Sequence, residues 1–229
     1  MSDEEIKTNV IAIDGPSGSG KSTIAKQIAE NLGLTYLDTG SMFRALAYAL
    51  DKAGLEQHDE VGIRTFLDNL SFDYQSSDDC LVSINNEDLT EKIREHHVSK
   101  LASKYSQVTA VRDYLKTIQR SVSEQVPSIL DGRDIGTVIF PDAILKVFLV
   151  ADAKIRAERR LEQLQEKDSS LEYELDKILA DINTRDRADE QRSIAPLKKA
   201  DDAVEIDSTK LSVEEIVQQV TDLYHSRLN

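Results

Sequence analysis

The chain has 229 residues, 40% hydrophobic and 31% charged, a globular balance with room for one α/β domain carrying insertions. Its formal charge of −14 excludes non-specific nucleic-acid binding, which needs a basic footprint, and confines any anion site to local clusters of Arg and Lys. A single cysteine, Cys80, rules out an intramolecular disulfide and, beside Leu81 and Val82, is expected to be a small core residue.

The N-terminal Met1-Ser2-Asp3-Glu4-Glu5 lacks the basic and apolar regions of a signal peptide. No apolar stretch reaches the roughly 20 residues of a membrane helix, so a cytoplasmic protein is expected. Val10-Ile11-Ala12-Ile13 is a continuous apolar run ending at Asp14-Gly15, the pattern of a parallel strand covered on both faces. From Gly20 onward Ile24, Ala25, Ile28, Ala29 and Leu32 fall at helical spacing, and Gly33 supplies the stop. Leu34-Thr35-Tyr36-Leu37 reads as a short strand. A helix with Met42, Ala45, Leu46, Ala49 and Leu50 on one stripe follows and ends at Gly54.

The texture then changes. Phe72-Asp73-Tyr74 and Leu81-Val82-Ser83-Ile84 alternate like half-exposed antiparallel strands, with turn signals at Gln75 to Asp79 and at Asn85-Asn86-Glu87-Asp88. They mark a small β-rich insertion. Helical spacing resumes most clearly from Val108 to Val122 and is broken by Pro127. The adjacent His96 and His97 do not share a helix face and read as surface histidines rather than metal ligands. Strands are expected at Ser128-Ile129-Leu130 and from Ile144 to Val150, then helices from Lys154 to Gln165 and from Leu171 to about Arg187. The last strand is Ala203-Val204-Glu205-Ile206, and Ser212 with Glu215 three residues on is a capping box opening the last helix.

Strands alternating with helices imply an α/β fold of three layers around about five parallel strands, with ligands beyond the carboxyl ends of the strands. Three motifs lie at those ends: Gly15 to Ser22, Asp38-Thr39-Gly40 and Asp131-Gly132-Arg133-Asp134. The first, Gly15-Pro16-Ser17-Gly18-Ser19-Gly20-Lys21-Ser22, is a complete P-loop. Its glycines let backbone N–H groups face a polyphosphate, Lys21 reaches the β- and γ-phosphates, and the Ser22 hydroxyl is placed for Mg²⁺. No Asn/Thr-Lys-x-Asp segment is present, which speaks against a GTPase. Arginines are segregated at Arg44, Arg133, Arg156, Arg159, Arg160, Arg185, Arg187 and Arg192, and guanidinium forks match phosphate oxygens bidentately. Arg159 and Arg187 read equally well as solvated helix charge. Asp131 could bind Mg²⁺ through water or be a hydrogen-bonded turn residue. The polar stretch from about Gln163 to Leu171 reads as a lid over a nucleotide or as a plain helix connection.

These residues carry a resemblance. Gly15 to Thr23, Leu37-Asp38-Thr39-Gly40-Ser41-Met42-Phe43-Arg44, Asp131-Gly132-Arg133-Asp134-Ile135-Gly136-Thr137, Phe140-Pro141-Asp142-Ala143 and Arg185-Asp186-Arg187 continuing through Asp189, Arg192 and Ile194-Ala195-Pro196-Leu197 resemble, in order and interval, the motif series of bacterial cytidylate kinases. That family implies a P-loop NTPase fold acting as one domain over residues 1–229. A monophosphate-binding insertion is expected at about 62–107, enlarged as in the bacterial form, and a short lid at about 157–172. The resemblance also implies transfer of the γ-phosphoryl group of ATP to CMP or dCMP with Mg²⁺; a monomer is expected, and from charge and hydropathy one that binds neither nucleic acid nor membrane.

Carried over residue by residue, it assigns catalysis to Lys21, Arg133, Asp134, Arg160 and Arg185. ATP goes to Gly15, Pro16, Ser17, Gly18, Ser19, Gly20, Lys21, Ser22, Thr23 and Arg156. The acceptor phosphate goes to Arg44, Arg133 and Arg185, and the cytosine edge to Ser103, Arg112 and Arg192. Asp189 would lie at the sugar, Asp134 near the acceptor pocket, and Thr39 holds a position where the family often has Ser. Read from residues alone, a P-loop kinase for another small molecule and an ATP-binding module without turnover both stay open.

Overall fold

The computed structural model describes residues 8–75, 81–167 and 172–228. Five parallel strands form the central sheet in the order β2-β6-β1-β7-β8: β1 Thr8–Asp14, β2 Thr35–Asp38, β6 Ser128–Gly132, β7 Ala143–Val150 and β8 Val204–Asp207. The side-chain alternation of β1 feeds two separate cores, as a strand covered on both faces must. Ile11 and Ile13 join Ile129, Leu145, Val147 and Leu149 under α1 (Lys21–Leu32) and α8 (Val213–Leu228). Val10 and Ala12 join Leu37, Leu130, Ile135, Ile139 and Phe140 on the opposite face. The third core packs α2 (Thr39–Lys52), α3 (Glu60–Asp68), α4 (His96–Tyr105) and α5 (Thr109–Ser123) around an antiparallel sheet of β3 (Phe72–Gln75), β4 (Leu81–Ile84) and β5 (Glu87–Asp88). The tight turn into β5 is made by Asn85 and Asn86, both at positive φ (51° and 65°), a conformation asparagine tolerates better than most residues.

Several expectations are met in detail. Gly33 closes α1 at φ 65°, its N–H returning to the Ala29 carbonyl. The capping box at α8 is reciprocal: Ser212 N donates to Glu215 Oε2 at 2.8 Å and Glu215 N to Ser212 Oγ at 3.2 Å. The insertion is less β-rich than its sequence suggests, because α3 and α4 flank the small sheet. A π-helical turn, Ile135–Ile139, follows β6 with no local sequence signal. Its determinant is distant: Asp14 receives the first two N–H groups of the turn, and Arg120 of α5 donates to the Ile139 carbonyl at 2.8 Å. The reading of Cys80 falls outside the described residues, as does the centre of the polar stretch between α6 (Ala153–Lys167) and α7 (Leu175–Gln191).

Sheet register sets the functional cleft. Ile13 and Asp38 both pair with Asp131, and Asp14 pairs with Gly132. Three parallel strands therefore stop side by side, and all three sequence motifs leave the sheet from one edge.

Candidate active site

The loop after β1 is shaped by glycine where side chains cannot fit. Gly15 sits at φ 152°, and a Cβ there would lie 2.1 Å from the Leu149 carbonyl oxygen of β7. Gly18 and Gly20 also take positive φ, 77° and 92°, before α1 opens at Lys21. Lys21 is buried and folds back on the loop: its Nζ donates to the Pro16 carbonyl at 2.7 Å and to Ser19 Oγ at 3.4 Å. Burial first, then the charge of Arg133, lowers the ammonium from 10.5 to about 7, against the pull of Asp131 and Asp14. Ser22 and Thr23 are exposed on the first turn of α1.

Two straps hold this loop from α6 and α7. Arg156 Nη1 donates to the Ser17 carbonyl at 2.8 Å and to Asp186 Oδ2 at 2.6 Å, while Ser17 N donates to Asp186 Oδ1 at 3.2 Å. Arg159, which the sequence left between phosphate ligand and surface charge, reaches the Ser208 carbonyl at 2.6 Å and its hydroxyl at 3.2 Å. Ser208 Oγ in turn donates to the Ser19 carbonyl at 3.1 Å.

Beside the loop, Asp131 is 8% exposed, and burial followed by the nearby Asp38 charge raises its carboxyl to about 6. Tyr36 donates its hydroxyl to Asp131 Oδ1 at 2.8 Å, and Oδ2 takes no hydrogen bond from the described residues. Burial, then Asp131, drives the Tyr36 hydroxyl far above its usual range, so it stays a donor. Thr39 Oγ1 donates to the Asp131 carbonyl at 2.7 Å. Asp38 caps α2 by accepting from Ser41 N at 2.8 Å. It also pairs with Arg44 at 3.4 Å, and its own N–H donates to the Tyr74 hydroxyl of β3 at 2.8 Å.

Across the cleft the polar groups form one connected set. Asp134 lies between two arginines: Arg112 Nη2 bonds Oδ2, and Arg192 Nη2 donates to Oδ1 at 3.1 Å. Arg112 also lies over the Phe43 ring at 5.4 Å and donates to the Ser106 carbonyl at 3.2 Å. That bond places it at the C-terminal end of α4, where the half-buried Ser103 carbonyl accepts from Ser106 Oγ at 3.0 Å. Arg133 Nε donates to Asp189 Oδ2 at 2.8 Å. After α7 the chain curls back, with Leu197 N donating to the Asp189 carbonyl at 2.9 Å and Arg192 Nε donating to the Ala195 carbonyl. Ala195 pays for that curl with φ 49°, left-handed backbone in a residue that is not glycine.

Arg185 makes no hydrogen bond with a described residue. Burial lowers its pKa first, then Arg133, with Arg44 and Arg160 adding to the effect. Arg160 is lowered likewise by burial and then by Arg44; its side chain donates to Gln163 Oε1 at 3.4 Å. Arg44, Arg133 and Arg160 thus converge around Arg185, and Arg133 in turn neighbours Lys21, with Asp38 and Asp189 as local counter-charges. Like charges gather this way where an anion completes the set. Arg187 is exposed.

Asp14 was not singled out from the sequence, yet it joins the two sides. It is 5% exposed and accepts from Ile135 N and Gly136 N, both at 2.8 Å. Burial raises its carboxyl to about 6 in spite of those two bonds. An acidic residue ending a buried strand was the available signal. Asp186 stands inside the Arg185-Asp186-Arg187 stretch of the motif series, but neither it nor Tyr36 nor Ser208 disclosed its partner, which lies far away in the chain.

A glycine-shaped loop opening a helix, set beside a bank of guanidinium groups, defines a P-loop kinase. The cytidylate kinase family model matches residues 11–226, and the chain belongs to that family. It is 42% identical to a cytidylate kinase of Fervidobacterium nodosum over 95% of this chain and 96% of that one. It is also 42% identical to a cytidylate kinase of Thermotoga maritima, covering 96% and 98%. Among solved structures, an uncharacterized protein from Eubacterium ventriosum shares the fold with TM-score 0.50 and 12% identity, covering 95% of this chain and 98% of that one.

Proposed function

We propose that the chain transfers the γ-phosphoryl group of ATP to CMP or dCMP, giving ADP and CDP or dCDP. An oxygen of the acceptor phosphate forms the new bond to the γ-phosphorus. The bond from that phosphorus to the β–γ bridging oxygen breaks, and its electron pair leaves on ADP. The attacking atom is already an ionised phosphate oxygen, so no general base is required, and the task is alignment and charge neutralisation.

The supporting observation is the convergence of Arg44, Arg133 and Arg160 on Arg185, with Arg133 also next to Lys21, in a chain of charge −14. In this reading the donor polyphosphate lies along residues 15–23, with Arg156 beneath them. Lys21 leaves the Pro16 carbonyl for the β- and γ-phosphates, and Arg160 neutralises the donor from the α6 side. Arg44, Arg133 and Arg185 hold the acceptor phosphate. Ser103, Arg112 and Arg192 read the cytosine edge, with Asp134 fixing both guanidinium planes, and Thr39 and Asp189 line the acceptor and its sugar. The residues fit a cation: a buried carboxylate raised to about 6, with one oxygen uncommitted, lies on the P-loop side next to Lys21. Ser22 directly and Asp131 through water would hold Mg²⁺, which when bound supplies neutralisation of the β- and γ-phosphate charge.

Within this scheme residues 62–107 form the acceptor-binding insertion and 157–172 the lid that excludes water from the cleft. The enzyme would act as a cytoplasmic monomer. No helix among the described residues is long and apolar enough to cross a membrane.

Steady-state kinetics with a panel of monophosphates tests the reading. CMP and dCMP should exceed UMP, AMP, GMP and dTMP clearly in kcat/KM, and equal or better use of AMP or UMP would overturn the specificity. Lys21→Ala should lower kcat by about 100- to 1,000-fold, the scale of losing one preorganised charge donor.

A further inference from the structure

We propose that Asp186 and Arg156 are positioning residues, a clamp on the Ser17 peptide that keeps the P-loop open for ATP and ties its shape to α7. The inference rests on the phosphoryl-transfer reading above and adds residues that touch neither nucleotide.

The clamp grips both polar groups of one peptide residue. The Ser17 N–H goes to Asp186 Oδ1 and the Ser17 carbonyl to Arg156 Nη1, while the same Nη1 bonds Asp186 Oδ2. Arg156 is itself fixed, because its Nε donates to the Ala151 carbonyl at 3.0 Å. Its backbone and Cβ also press on the loop: a Cβ on Gly18 would meet the Arg156 Cβ at 3.3 Å. The two side chains are 7% and 12% exposed. Each needs the other there, since a buried charge left single is strongly unfavourable.

The loop requires such a clamp. Three of its residues are glycines at positive φ, so its backbone has little stiffness of its own. Lys21 donates to the Pro16 carbonyl and the Ser19 hydroxyl on either side of Ser17 in the chain. The Asp186–Arg156 pair holds the adjacent Ser17 by both its N–H and its carbonyl. The course of the Ser17 backbone is therefore set by the clamp and not by Lys21 alone.

The clamp also links the two halves of the site. Asp186 sits on α7 next to Arg185, with Asp189 three residues on and Arg192 at the helix end. One face of α7 grips the P-loop while neighbouring positions supply the guanidinium bank and the Arg133 and Asp134 partners.

Asp186→Asn keeps the size and removes the charge; Arg156→Lys keeps the charge and loses the fork. Each should weaken ATP binding, read by calorimetry with ATP as the probe, and lower kcat by about tenfold or more, while KM for CMP stays within about twofold. The double variant should lose no more than the worse single one, as expected for two halves of one device. In the wild-type protein the Ser17 amide should exchange with solvent far more slowly than the exposed Gly18 amide, a measurement that needs no variant. Folded variants with a lower Tm but unchanged ATP affinity and kcat would reduce the pair to a structural brace and overturn the proposal. Equal exchange at Ser17 and Gly18 would do the same. If the wild-type chain phosphorylates no monophosphate, the function fails but ATP affinity still decides the clamp.

Discussion

The P-loop wall and the arginine wall face the same cleft but are built by opposite means. On the first, backbone does the work: glycines at three positions of positive φ, a helix N-terminus and one lysine, with side chains from α6 and α7 behind them. On the second, charged side chains from α2, α5, the end of α7 and the turn after β6 pair with one another. A backbone device tolerates few substitutions at its shaping residues. A side-chain device fails piece by piece, and each piece changes specificity.

Breaking the backbone device has the largest expected effect. Gly15→Ala puts a methyl group 2.1 Å from the Leu149 carbonyl at a φ of 152°, so β1, β7 or the loop must move. We expect a loss of about 3 kcal/mol or more in urea unfolding, at the upper end of what overpacking causes, together with loss of ATP binding. A variant as stable as the wild type would mean that the loop is not pinned to β7.

Breaking one member of the side-chain device is milder and selective. Arg192→Met leaves Asp134 with Arg112 alone and frees the Ala195 carbonyl. The kcat/KM for CMP should fall by about 10- to 100-fold, the scale of a lost charged hydrogen bond, with ATP affinity kept. Equal losses with CMP and UMP would remove Arg192 from base reading and leave it a structural role.

The contrast also accounts for what the sequence could and could not disclose. Strand β1, the loop and α1 are adjacent in the chain, so apolar run, glycines and helical stripe all lie within residues 8–32 and were legible directly. The arginines were legible as charges out of place in an acidic chain. Their partners were not, because Arg112 meets Asp134 and Arg133 meets Asp189 across separations of 22 and 56 residues that no local pattern encodes. Arg156 shows the difference most sharply. The sequence offers it as an ATP ligand, whereas its guanidinium is committed to Ala151, Ser17 and Asp186 behind the loop. The π-helical turn was hidden for the same reason, since Asp14 and Arg120 shape it from elsewhere.

Asp14 belongs to both walls, and its titration separates its contribution from the rest. Its folded-state pKa, about 6, lies above the usual 3.8, so the stability it contributes is fully present below about pH 3.8 and is lost as pH rises through 6. Between pH 7 and pH 5 this group alone should add about 1 kcal/mol to the unfolding free energy of the wild type. Asp14→Asn should lack that increment, whatever its absolute stability. Asp131, also raised to about 6, titrates in both proteins and cancels, and a Lys21→Met background in both removes the ammonium that is lowered to about 7 and interacts with Asp14. Parallel stability–pH curves for the two proteins would show that Asp14 does not titrate near 6.

The smallest effect tests whether backbone strain has a role on the side-chain wall. Ala195 holds a left-handed conformation, and its carbonyl is the acceptor that orients Arg192. Ala195→Gly relieves the steric cost of that conformation but widens the unfolded ensemble, so stability should change by less than about 1 kcal/mol in either direction. Glycine also loosens the curl that fixes the Arg192 guanidinium beside Asp134. KM for CMP should therefore rise about two- to fivefold with kcat and ATP affinity unchanged, a size in keeping with a softened rather than broken hydrogen bond. An unchanged KM would mean that Asp134 alone orients Arg192, and that the strain at Ala195 serves only the path of the chain toward β8.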